Sequence, residues 1–315
     1  MFFSRVRIRP EIFKGSQLSR IISNNPYGMH RLLWDLFPGQ DKRNFLCREE
    51  IVREQFGAKA GIHGEPVYYL VSSTPPFRNN PLFRVETKEY QPKLQTGDLL
   101  GFRLRCNPVV TEKIDREDPD RYLKERSRRK VTNKNKLTKK RVRHDVVMNA
   151  KRKLMSSLCS ELRLQSRLSA TPKNREYKKA LLTYGGGELD EKLNAIVQNN
   201  FKYSACLHQT MKLPNKLELA IKANVDDALE KWLLAKGEQH GFIISKDDRN
   251  QNKIQSSAYR WNSIKAQNGK RLGFSSVDFN GDLNIFDVDS FTKALFEGIG
   301  PAKAFGCGLM LVRRI

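Results

Sequence analysis

Residues 2–9, FFSRVRIR, alternate with a period of two. Phe2, Val6 and Ile8 fall on one side and Arg5, Arg7 and Arg9 on the other, which predicts a half-buried strand with a basic outer face. The stretch NNPYGMHRLLWDLFPG, residues 24–39, changes to a helical period. Asn25 suits the N-cap, Pro26 suits the first helical position and Pro38-Gly39 ends the helix. Met29, Leu32, Leu33 and Leu36 form an i, i+3, i+4, i+7 stripe expected to bury against a sheet. NFLCREEIV and PVYYLVSST read as two more strands and PPFRNNP as a loop. LLGFRLRCNP reads as a further strand, with Phe102, Leu104 and Cys106 on one side and Arg103, Arg105 and Asn107 on the other. This order predicts a ferredoxin-like βαββαβ unit with a degenerate second helix. First and last strands are neighbours in that unit, so the two arginine rows would share a basic strip.

After Pro108 the pattern weakens. HDVVMNAKRK has strand-like character at Val146–Met148, and residues 155–215 read as mixed helical segments around a flexible YGGGELD. The C-terminal part is more regular. VDDALEKWLLAKGEQHG predicts a capped amphipathic helix with Val225, Leu229, Trp232 and Leu233 on one face and Gly237 at its end. IQSSAYRWNSIKAQNGKRLGFSSVDF predicts two strands joined at Asn268-Gly269, with Lys265, Lys270 and Arg271 flanking the turn. DVDSFTKALFEG is a helix closed by Gly298, and GCGLMLVRRI a terminal strand. These elements suggest a second ferredoxin-like unit whose first strand lies near 142–149. The expected fold is α+β: two tandem ferredoxin-like, RRM-like domains over 1–111 and 221–315, with a basic linker and insertion over 112–220.

Charge sharpens this picture. The 315 residues carry a formal net charge of +24, which calls for a polyanionic partner, nucleic acid or an anionic membrane surface. Residues 121–153 hold 15 Lys or Arg against 2 acidic residues, a run expected to be solvated or to order on a polyanion. No apolar run approaches bilayer length, and the N-terminus lacks a signal peptide's apolar core, so a cytoplasmic protein is expected. The five cysteines show no CxxC spacing and the histidines no ligand spacing, so neither a disulfide framework, a metal nor a cofactor is expected.

Two motifs carry candidate chemistry. Tyr27 and His30, three residues apart, are neighbours near the positive end of a short helix, where unpaired N–H groups favour phosphate. Imidazole, with an ordinary pKa of about 6.5, can exchange a proton near neutral pH. Arg31 beside it can offset charge on a phosphorane. This set suits metal-independent RNA cleavage, with the 2′-hydroxyl as nucleophile; the alternative is a surface histidine on an ordinary helix. In GIGPAKAFGCGLML, Gly298, Gly300, Gly306 and Gly308 could turn their N–H groups to an anion beside Lys303. The alternative is a tight helix-to-strand connection requiring positive φ.

NPYGMHRLLWDLFP, LLGFRLRCNP and GIGPAKAFGCGLML, in that order, resemble the CasE family, the repeat-processing endoribonucleases of type I-E CRISPR systems in the RAMP superfamily. The resemblance covers roughly residues 1–110 and 220–315. It implies two ferredoxin-like domains, binding of a CRISPR repeat stem-loop and metal-independent cutting at the 3′ base of the stem. The product would carry a 2′,3′-cyclic phosphate and remain bound, joined to the other Cascade subunits. The family's catalytic histidine falls on His30, the tyrosine of part of the family on Tyr27, and its RNA-contacting hairpin on Arg260–Arg271. Residues near 112–220 have no counterpart in the shorter members, which leaves Lys136, Lys139, Lys140, Arg141 and Arg143 without an implied role. Two rivals stand beside this reading. One is a RAMP-type subunit that binds RNA without cutting. The other is a DNA-binding protein, although no helix-turn-helix or zinc-finger pattern is visible. A membrane-surface role fits poorly, because the basic run lacks apolar residues at helical spacing.

Overall fold

The computed structural model describes residues 1–9, 26–52, 65–118, 120–122, 139–208, 210–265 and 271–315. They divide into two compact units, one of Met1–Pro108 with Trp232–Ile315, the other of Val109–Lys231.

The first unit holds two sheets. One contains β1 (Phe2–Ile8), β2 (Phe45–Val52), β3 (Glu65–Ser72) and β4 (Phe83–Glu89) in the order β2-β3-β1-β4, all antiparallel. That is the ferredoxin-like order. α1 (Pro26–Trp34) covers one side. Met29 and Leu33 on its stripe, with Leu36 in the turn just past its end, are buried against Val6, Ile8, Phe45, Leu70 and Phe83, with Leu32 packed at the margin. In place of a second helix, residues 73–82 form a loop in which Asn80 Oδ1 accepts the N–H groups of Leu82 (2.8 Å) and Phe83 (3.2 Å).

The strand over 99–106 is a correction to the sequence reading. β5 (Leu99–Cys106) does not close the N-terminal sheet; β4 does. β5 is the first strand of a second sheet, with β8 (Phe242–Ile244), β9 (Ile254–Lys265), β10 (Arg271–Ile285) and β11 (Met310–Arg314). Its path is β11-β5-β10-β8, again the ferredoxin-like order, with β9 pairing β10. Alternation marks a half-buried strand but does not name its partner. The partner is set across the ladder, where Arg105 lies opposite Asp278 on β10. The two make a bidentate ion pair, Nε–Oδ1 2.8 Å and Nη2–Oδ2 2.9 Å. The expected basic strip therefore does not form. Arg5 and Arg7 instead meet Glu86 on β4, Arg7 Nη2 at 2.8 Å from Oε1.

Helices α5 (Leu213–Gln239) and α6 (Val288–Glu297) complete the second fold. α6 is capped by Asp287, whose carboxylate accepts the N–H groups of Asp289 and Ser290, and ends at Gly298 with φ 77°. α5 begins twelve residues before Val225 and runs past Gly237. Gly237 is needed there because a Cβ would lie 2.5 Å from the Phe242 carbonyl oxygen. Trp232 stacks on Phe279 and Phe242 meets Phe291 edge-on in the core.

The second unit opens with a two-stranded ribbon, β6 (Val109–Asp115) and β7 (Lys139–Asp145). It continues as α2 (Val146–Glu161), α3 (Asn174–Tyr184), α4 (Gly186–Gln198) and the first part of α5. Val146–Met148 is thus a helix start, not a strand. The Asp145 carboxylate accepts the Met148 N–H at 2.7 Å and so turns the chain into α2. The glycines of YGGGELD join two helices, with Gly186 at φ 53°. The described end of the basic run, 139–153, is ordered strand and helix; residues 123–138 lie outside the described residues.

Candidate active site and nucleic-acid interface

His30 is only 8 % exposed. Its ring packs against Trp34 (centroids 5.6 Å apart), Phe45 (5.7 Å) and Phe305 (6.4 Å). Nδ1 is buried with no hydrogen-bond partner among the described residues. Burial lowers the His30 pKa from its ordinary value, and the nearby Arg43 charge lowers it further. The imidazole is accordingly neutral at neutral pH, with a ring nitrogen ready to accept a proton.

Arg43, in the segment entering β2, is a residue the sequence reading missed. It is half-buried, makes no ion pair among the described residues, and faces both His30 and Lys303. Lys303 is likewise lowered by burial, with Glu297 opposing the shift and Arg43 adding to it. A half-buried guanidinium with no carboxylate partner, flanked by an imidazole and an ammonium, is a place for an anion. Nothing in the periodicity marks Arg43. The only signal was its position just before a strand that packs on the His30 helix. Cys47, beneath this cluster, has its thiol pushed up to about 11 by burial, with Arg43 and the Gly306 N–H opposing. It is a buried, unreactive thiol.

The C-terminal glycines build the floor of the cluster. Gly298, Gly300, Gly306 and Gly308 all have positive φ. A 3-10 turn over Lys303–Phe305 lies against α1 and β2. The Gly298 N–H goes to Ala294 O (2.8 Å) and the Gly308 N–H to Arg105 O (2.7 Å), while Gly306 N–H faces the Cys47 sulfur. These N–H groups are engaged within the protein, which favours the tight-connection reading of the loop. Its product is the placement of Phe305 beside His30 and of Lys303 near Arg43.

The remaining candidates are scattered. Arg31 is exposed, next to His30 along the helix. Tyr27 lies in α1, but its side chain is outside the described residues. Arg105 is held by Asp278 and by the Glu49 carbonyl (3.1 Å). Arg103 is exposed, 3.9 Å from Glu50. Buried Arg48, also missed, joins Glu50 (2.5 Å) and Asp278 (3.9 Å), so an ion network ties β2 to β5 and β10. Arg260 is exposed on β9. Lys265 and Arg271 are paired across the end of the β9–β10 hairpin, their side chains and all of Lys270 lying outside the described residues. That hairpin also presents Trp261, 63 % exposed, its ring so close over Gly273 that a Cβ there would lie 2.4 Å away. Among the described residues no His, Cys, Asp and Glu side chains converge as a metal-ligand set, and no helix is long and apolar enough to cross a membrane.

Comparison with known proteins bears on this arrangement. No curated protein matches the chain. Among solved structures, CRISPR endoribonuclease Cse3 bound to a 19-nucleotide RNA matches with a TM-score of 0.52 and 20 % identity, covering 99 % of this chain and 100 % of that one. Thermus thermophilus Cse3, bound to an RNA representing a pre-cleavage complex, matches at 0.51 and 18 %, covering 99 % and 98 %. At these identities the likeness carries the fold: two ferredoxin-like sheets in one chain. The sequence model of a family described as CRISPR associated protein spans residues 1–314, and the chain belongs to that family.

Proposed function

We propose that this protein is the endoribonuclease that cuts CRISPR repeat stem-loops in a precursor transcript, working in the cytoplasm and staying on its product as a Cascade subunit, as a CasE protein would. The observation that carries the reading is His30: a neutral imidazole walled by aromatic rings, with the Arg43 charge near enough to act on it and on Lys303. The upstream 2′-hydroxyl attacks the scissile phosphate as the bond to the downstream 5′-oxygen breaks, His30 serves the proton transfer from the 2′-hydroxyl to the departing 5′-oxygen, and the two cations offset charge as it grows on the phosphoryl oxygens. Phosphate binding would raise the imidazole pKa again, since an anion favours the protonated form. The reaction needs proton transfer and charge stabilisation, so no metal is assigned to it. Tyr27 and Arg31 assist from the same helix, and Arg260, Lys265, Lys270 and Arg271 hold the stem.

The burial of His30 also suits the rival reading, a subunit that binds RNA without cutting. Incubating the protein with a labelled repeat stem-loop and analysing the 3′ ends separates them. A fragment ending in a 2′,3′-cyclic phosphate with its partner bearing a 5′-hydroxyl supports cleavage by the 2′-hydroxyl. Intact RNA in a stable complex leaves the binding subunit.

A further inference from the structure

The cleavage reading makes no use of the ribbon β6–β7. Its register pairs Thr111 with Arg143, Lys113 with Arg141 and Asp115 with Lys139. Directly opposed residues project to the same side, so these six share one face. Val110, Glu112 and Ile114 share the other face with His144, Val142 and Lys140.

The two faces treat charge differently. On the second, the Glu112 carboxylate lies 3.6 Å from His144 Nε2 and 3.7 Å from Lys153 Nζ. On the first, Lys139 approaches Asp115 only at 4.0 Å, and that carboxylate is 85 % exposed. Asp145, at the end of this face, is turned to the Met148 N–H as the cap of α2. Lys113, Arg141 and Arg143 are exposed and have no acidic or hydrogen-bonding side-chain partner among the described residues.

Lys113 directly faces Arg141. Like charges opposed across a ribbon destabilise it, and neither of the two makes an ion pair among the described residues. A local rule broken without internal compensation points to a ligand. Arg141 and Arg143 are two residues apart, about 6.6 Å along the strand. That spacing suits successive groups of a repeating anion. No aromatic side chain shares the face, so it offers no platform on which a base could stack.

We infer that this face is a second RNA-binding surface, with Lys113, Arg141 and Arg143 holding the phosphodiester backbone of the substrate RNA without reading its bases. The inference rests on the RNA-processing reading above. It adds a contact outside the His30 cluster, on the ribbon of the second unit.

The test uses the full chain with Lys113→Gln, Arg141→Gln and Arg143→Gln combined. Binding to a repeat stem-loop and to an unrelated stem-loop is measured across a salt series. Each lost phosphate contact removes about 0.7–0.9 from the slope of log affinity against log salt. The slope should therefore flatten by about 2 to 3, equally for both RNAs, while cleavage at saturating protein keeps its rate and position. Melting should stay level or rise, because a like-charge pair is removed. An unchanged slope overturns the inference and leaves solvated surface or a site for an acidic protein. Loss confined to the repeat stem-loop also overturns it, because the face would then read sequence. A wild type that binds and loses slope in the variant, yet never cuts, keeps this surface and removes the cleavage reading. A wild type that binds neither RNA removes both.

Discussion

Strands β1 and β7 carry the same pattern, with arginines at alternate positions: Arg5 and Arg7 on one, Arg141 and Arg143 on the other. Their surroundings differ. Across from Arg5 on β4 stands Glu86, which takes both guanidinium groups of β1. Across from Arg141 and Arg143 stand Lys113 and Thr111. Alternation in a single strand foretells which side is basic. The neighbouring strand decides whether that charge is available to a ligand or already engaged. Arg105 extends the lesson, since its fork is filled by Asp278 and its work is to hold β5 to β10.

The largest effect should come from breaking that engaged pair. Arg105→Ala leaves the Asp278 carboxylate mostly buried, with Arg48 at 3.9 Å as its remaining cation. Removing one partner of such a pair costs about 2–3 kcal/mol here, at or below the usual range because both side chains keep some solvent. Thermal or urea melting should show it, while the folded variant binds stem-loop RNA within about twofold of wild type. A loss of RNA affinity without a loss of stability would make Arg105 a ligand-binding residue.

Arg43 comes next, as a half-buried cation acting on His30 with no ion pair among the described residues. Arg43→Gln should slow cleavage about tenfold to a hundredfold, as expected for loss of one charge at the developing anion. It should also move the pH profile. Burial first and then Arg43 hold the His30 pKa down, so removing Arg43 lets that pKa rise part of the way towards 6.5 and shifts the acid limb of the rate to higher pH. In the wild type the same depression appears in stability. The unfolded chain takes up a proton near pH 6.5 before the folded His30 does, so stability falls as pH drops from 6.5 towards the folded value. His30→Gln should flatten that part of the curve.

The smallest effect sharpens the comparison of strands directly. Glu86→Gln releases Arg5 and Arg7 from their acid. Stem-loop affinity at low salt should rise about twofold to threefold, and the salt slope should steepen by less than 1. No change would mean that the β1 face never meets RNA.

The helix stripe, the presence of a hairpin over Ile254–Ile285 and the Gly298 cap were all readable, because each rests on local geometry or short-range pattern. What was not readable depends on partners far along the chain. Phe102, Leu104 and Cys106 alternate equally well in either sheet, and only Asp278, 173 residues away, places their strand. Val146–Met148 is β-branched enough to look extended, but the Asp145 cap starts a helix there. Of the candidate site, His30 and Lys303 were visible as residue types in suggestive settings. Arg43 and the aromatic wall of Trp34, Phe45 and Phe305 exist only once α1, β2 and the C-terminal turn are packed together.

We propose that His30 transfers the proton in an RNA cleavage that needs no metal. Single-turnover cleavage of a repeat stem-loop in excess EDTA, with wild type and His30→Ala at protein concentrations that saturate binding, tests it most directly. Full wild-type activity in EDTA is expected, with a loss of about a hundredfold or more for His30→Ala and stem-loop affinity within tenfold of wild type. Wild-type activity abolished by EDTA and restored by magnesium, or a His30→Ala variant that cuts at the parental rate, would contradict it.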